Sequence, residues 1–187
     1  MKQNKTWSIQ KIAYIAVLAA LVCVVTFFRF PLLGSKVHFA NAMCLLSGLV
    51  LGPLAGGLAA GFGSALYDAL FGGYDIVNCL ITFASKFLMA WVCAKIAFSG
   101  GREAKKHGWN IFACVIGALT YVALYMLKTF VFQIFVYQSP MATALVTMGG
   151  KLPASMINAA AAMVATPVLF AALTQTGQME RLRRAVR

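Results

Sequence analysis

Apolar stretches leave almost no room for anything else in this sequence. Residues 9–30, 37–51, 54–71, 76–98, 110–136 and 142–173 form six apolar runs in a chain of 187 residues. A membrane core about 30 Å thick needs about 20 residues of helix. Most of the runs meet that length. The second is short, and only Gly52 and Pro53 divide it from the third. The last is long enough to be tilted or interrupted, with Pro153 and Pro167 as places for a kink. The one polar loop of any length is 99–108.

Composition excludes a water-soluble globule. The chain is 61% hydrophobic and 11% charged, and a small domain must show much of its surface to solvent. Lipid is the solvent that fits. The expected fold is an all-α membrane protein: one six-transmembrane-helix bundle over 1–187, with almost nothing outside the bilayer. An N-terminal apolar run after basic residues can mark a cleaved leader. Here 12–28 is long for one and no A-x-A site follows, so it is expected to be the first span.

Sixteen basic residues against four acidic give a net charge of +12. They cluster in short loops and tails, without a basic run interleaved with aromatics, so nucleic acid is not the expected partner. Their distribution sets orientation instead. With the N-terminus inside, one side holds Lys2, Lys5, Lys11, Lys95, Arg102, Lys105, Lys106, Arg181, Arg183, Arg184 and Arg187, and the other only Arg29 and Lys36. Both termini are therefore expected to be cytoplasmic.

Three lysines remain, all inside apolar runs: Lys86, Lys128 and Lys151. Counted from the outer ends of their helices, each lies about 14–17 Å deep, near one level. A lysine there costs at least about 2.5 kcal/mol on insertion scales. Each has polar company at helical spacing: Asn78 and Thr82 with Lys86, Tyr121 and Tyr125 with Lys128, Ser155 and Asn158 with Lys151. Asp68 and Asp75 are the only acids on the outer half, so internal pairing could neutralise two lysines at most. The expected arrangement is a cavity open to the outside whose charge awaits an anionic or electron-rich ligand. The bland alternative is snorkelling.

Other features are weaker. Ala13, Ala16 and Ala20 form a small-residue stripe on the first helix, suited to docking on a partner or to internal packing. Gly48, Gly52 and Gly56, and separately Gly57 and Gly61, have the small-xxx-small spacing of close helix contacts. His38, Asn41 and Tyr74 fall at outer helix ends, as interface anchors or ligand contacts. Cys23, Cys44, Cys79, Cys93 and Cys114 all lie in apolar runs without a C-x-x-C, so they are expected to pack rather than bind metal.

No enzyme is expected. Gly61-Phe62-Gly63-Ser64 hints at an intramembrane serine hydrolase, but the only later histidine, His107, is in the polar loop. Gly149-Gly150-Lys151 is no phosphate loop, since Leu145 stands where the first glycine should be. Neither cofactor nor nucleotide site is expected, and uphill transport would draw on an ion gradient or another protein.

Several segments together resemble the substrate-binding S components of energy-coupling factor (ECF) transporters, in the riboflavin-type group. They are Val37 to Ala42, the Gly48 to Pro53 segment, Gly61 to Asp68, Gly72-Gly73-Tyr74, Lys86 on the fourth helix, and Lys151-Leu152-Pro153 with Ile157-Asn158 on the sixth. The resemblance implies a vitamin site formed by helices four to six and capped by outer loops, with helices one to three as scaffold. It also implies a membrane coupling subunit, docked on the Ala16 and Ala20 face, and two cytoplasmic ATPases, in a bacterial plasma membrane. Such proteins are thought to topple to deliver their ligand. Lys86, Lys128, Lys151, Asn158, Asn78, Tyr121, Tyr125, Tyr74, His38 and Asn41 are the candidate ligand residues. Three lysines exceed what neutral riboflavin needs, and a carboxylate- or phosphate-bearing micronutrient suits them better. Riboflavin, a pyridoxine-like or pyrimidine vitamin and a cobalamin-type ligand all stay open. A stand-alone secondary transporter or channel for a small anion is the competing reading.

Overall fold

The computed structural model describes residues 8–32, 35–180 and 182. Among these described residues, five helices are long and apolar enough to cross a membrane. They are α1 (Ile9–Phe27), α3 (Pro53–Tyr67, prolonged by a π-turn over Asp68–Gly72), α4 (Ile76–Ala97), α5 (His107–Val131, prolonged over Phe132–Val136) and α6 (Met141–Gln175). Their outward faces carry Val17, Phe62, Leu80, Leu119 and Val164, all exposed. A girdle of this kind on every long helix suits hydrocarbon, not water. The chain is a multi-pass membrane protein.

The second apolar run is not a full span. Its helix, α2 (Ala40–Leu51), has 12 residues, about 18 Å of rise, and every residue but Met43 is buried. The stretch before it is a β-hairpin, β1 (Arg29–Leu32) paired antiparallel with β2 (Ser35–His38). Val37 and His38, expected to begin the helix, are strand, as is the end of the first run. Strands survive here because the hairpin pairs its own backbone and a side chain of α6 satisfies more of it, described below.

Close contacts fix the helix registers. Gly52 turns α2 into α3 at φ 83°, ψ −177°, a region essentially reserved for glycine, and Pro53 follows at the first helical position. The returning helix passes so near that a Cβ on Gly56 would lie 2.4 Å from the Ser47 carbonyl oxygen. A Cβ on Gly48 of α2 would lie 2.6 Å from the Ala90 carbonyl oxygen in α4. Between α4 and α5, Gly117 admits Cys93 and the Met89 backbone, and the Cys93 and Cys114 sulfurs sit 4.0 Å apart. Between α5 and α6, the Gln133 amide reaches the Thr147 hydroxyl at 3.4 Å. The Thr166 hydroxyl donates to the Ala42 carbonyl at 3.1 Å, tying α6 to α2. α6 runs as one helix of 35 residues through both Pro153 and Pro167, so of the two forms open to the last run, tilted or interrupted, it is not the interrupted one.

Lys11, Lys95, Arg102, Lys105 and Lys106 lie at the end of the bundle opposite the hairpin, in the loop or in adjoining helix ends, while Arg29 and Lys36 are on the hairpin. Lys2, Lys5, Arg181, Arg183, Arg184 and Arg187 lie outside the described residues. α5 begins at His107, earlier than its apolar run suggested. All five cysteines are buried free thiols, and the described residues bring no three His, Cys, Asp or Glu side chains together as a metal site.

A candidate ligand site beneath the hairpin

A cavity of about 420 Å³ opens at the hairpin end, the size of a site for one small ligand. It has a floor and a rim. At the floor, Lys86 is 3% exposed. Its ammonium donates to the Asn41 side-chain oxygen on α2 and lies 3.7 Å from the centre of the Tyr121 ring on α5. That charge is therefore held by an amide and an aromatic face. Beside it, Asn158 of α6 accepts from the His38 backbone N–H at 2.8 Å and donates to the Lys36 carbonyl at 2.8 Å. One side-chain amide thus extends the ladder of β2. The Nδ1 atom of His38 is buried with no hydrogen-bond partner. The Tyr121 and Tyr125 rings lie parallel within 18°, their centres 6.1 Å apart.

The rim lies toward the hairpin end. Lys128 is seven residues beyond Tyr121 on α5 and Lys151 seven beyond Asn158 on α6, each step about 10 Å. The Gln133–Thr147 contact sets these two lysines level with each other. Lys128 lies 5.4 Å from the Phe132 ring centre. From the hairpin, Arg29 stacks over Tyr67 at 4.9 Å, and Lys36 reaches the Tyr74 hydroxyl at 3.3 Å. Asp68 is the one carboxylate in the lining. Nearby, Asn78 donates its amide to Asp75, and that bond holds the Asp75 carboxyl below the usual carboxylate range.

The three membrane lysines accordingly share one cavity but not one level. Lys86 belongs to the floor, Lys128 and Lys151 to the rim. Counting from helix ends misplaced them because α5 and α6 extend farther toward the hairpin end than α4, so equal counts are not equal depths. Among the described residues, the only ion pair within 4 Å is Lys105 with Glu103, in the loop. No cavity cation has a carboxylate at that range.

The other expected residues mostly converge here too. His38, Tyr74, Asn78, Tyr121, Tyr125 and Asn158 all line the cavity. Asn41 does not line it and acts on it through Lys86. Ser155 donates back to the Lys151 carbonyl at 3.1 Å. The lining is not confined to α4, α5 and α6: Thr26, Ser64, Tyr67 and Asp68 enter from α1 and α3, and Arg29 and Lys36 from the hairpin. Sequence reasoning used Arg29 and Lys36 only for topology. Two cations seven positions apart around Pro31 were the available signal. Ala13, Ala16 and Ala20 are exposed on the outward face of α1. A second, apolar groove between α5 and α6 at the opposite end brings together none of the candidate residues.

Residues 6–175 match the family of ECF-type riboflavin transporter S components. The chain belongs to that family. Its fold is similar to a solved structure described as the S component of a bacterial ECF transporter, at 20% identity and a TM-score of 0.65, over 89% of this chain and 96% of that one. No curated protein matches the sequence. As an S component the chain is a substrate-binding subunit of a membrane transporter rather than an enzyme.

Proposed function

We propose that this S component captures a small anionic, vitamin-like solute from outside a bacterial plasma membrane and passes it inward with a membrane coupling subunit and two cytoplasmic ATPases. In this reading the hairpin end faces outward, both termini are cytoplasmic and six segments count as spans, α2 with its hairpin being the second. The observation that carries it is the cavity's charge. Arg29, Lys36, Lys86, Lys128 and Lys151 against Asp68 alone leave 5 − 1 = 4 positive charges unmatched. Keeping unpaired cations in a membrane protein is costly, and a bound anion recovers that cost. The basic residues at the opposite end support the orientation, and the outward Ala13, Ala16 and Ala20 face supports docking of the coupling subunit there.

Mass spectrometry of small molecules released from the purified protein tests the ligand class, and an acidic compound is expected. Reconstitution tests the mechanism: uptake should require the coupling subunit, the ATPases and ATP. Uptake by the lone protein in ATP-free vesicles would instead establish the secondary-transporter reading.

A further inference from the structure

The cavity's charges are distributed unevenly with depth, and that distribution specifies the ligand further. At the floor, Lys86 is already engaged by Asn41 and the face of Tyr121. What lines the cavity beside it is uncharged: the parallel rings of Tyr121 and Tyr125. About 10 Å nearer the mouth, Lys128 and Lys151 have no carboxylate within 4 Å, and the hairpin cations Arg29 and Lys36 line the same cavity.

From this we infer that the ligand is bipartite: an uncharged ring system seated at the floor against the tyrosine rings, and a group of about two negative charges held between Lys128 and Lys151 at the rim. A phosphomonoester is the compact form of that group, carrying about −1.5 to −2 at neutral pH with three acceptor oxygens. A single carboxylate would leave one of the two lysines uncompensated. Lys86 is then a positioning residue that fixes Tyr121, not a ligand cation. The inference rests on the function proposed above and specifies its substrate.

The test uses the full-length protein in phospholipid-free detergent and measures affinity by calorimetry for two pairs: riboflavin and flavin mononucleotide, and pyridoxal and its phosphomonoester. In at least one pair the phosphorylated member should bind at least about tenfold more tightly, a difference of about 1.4 kcal/mol. Lys128→Met and Lys151→Met should each bring the ratio of the two affinities toward one, and Lys128→Arg should restore it. Lys86→Met should weaken both members together and preserve the ratio. Equal affinities in every pair overturn the inference, as does a preference that survives both rim variants. Repeating the measurement in phosphatidylglycerol nanodiscs separates ligand phosphate from lipid phosphate. A preference that disappears there assigns the rim to headgroups and also overturns it. ATP-dependent import of a small carboxylate without a phosphate group would overturn this inference alone and leave the proposed function intact. ATP-independent import would do the reverse.

Discussion

Asn41 and Lys86 form the contact on which the floor of the cavity depends. A buried ammonium hydrogen-bonded to an amide oxygen tolerates its surroundings only while that oxygen is present. Asn41→Leu should therefore destabilise the protein by about 2–3 kcal/mol, the range for hydrogen bonds to charged groups. Chemical unfolding of the purified protein in detergent measures it. Adding Lys86→Met to Asn41→Leu should recover most of the loss, because an apolar pair leaves no charge without a partner. If the double variant is as unstable as the sum of the singles, the two side chains do not act as a unit. Both residues were visible in the sequence as polar atoms in apolar runs. Their pairing was not, since they lie on different helices 45 positions apart.

Among the elements, the hairpin was the least legible. A strand in a membrane protein needs its backbone satisfied, and the Asn158 amide that helps to do so comes from 120 residues away. Asn158→Ala should remove both bonds to β2. Hydrogen exchange at the His38 amide should rise and bound ligand should leave faster, while Asn158→Asp keeps only the acceptor and should fall between. Unchanged exchange would mean that the hairpin holds its shape alone. At the corner the glycine spacing did announce close packing, and the distances rank the positions. Gly56→Ala and Gly48→Ala should each cost about 1–3 kcal/mol through overpacking, because both would press a methyl against backbone. Gly149→Ala, with nothing within 4 Å, should be neutral or slightly stabilising. Thermal unfolding of the three variants checks the order.

For the molecule as a whole, the division of labour between surfaces makes its own prediction. The Ala16 and Ala20 face looks outward from α1, while the cavity opens at the hairpin end. Ala16→Leu with Ala20→Leu should therefore reduce co-purification with the coupling subunit and ATPases several-fold while ligand affinity in the isolated protein stays the same. If assembly is unaffected, the coupling subunit docks elsewhere.

Membrane residence and the long helices were settled by sequence alone, because hydrocarbon accepts only backbones that satisfy themselves beneath an apolar surface, and that demand is written residue by residue along the chain. The candidate cations were visible for the same reason: any charge in such a run stands out. Tertiary structure decided which of them share a level, which are already engaged, and that two come from a hairpin. Depth and partnership depend on where one helix starts relative to the next, and no local pattern along a single chain encodes that offset.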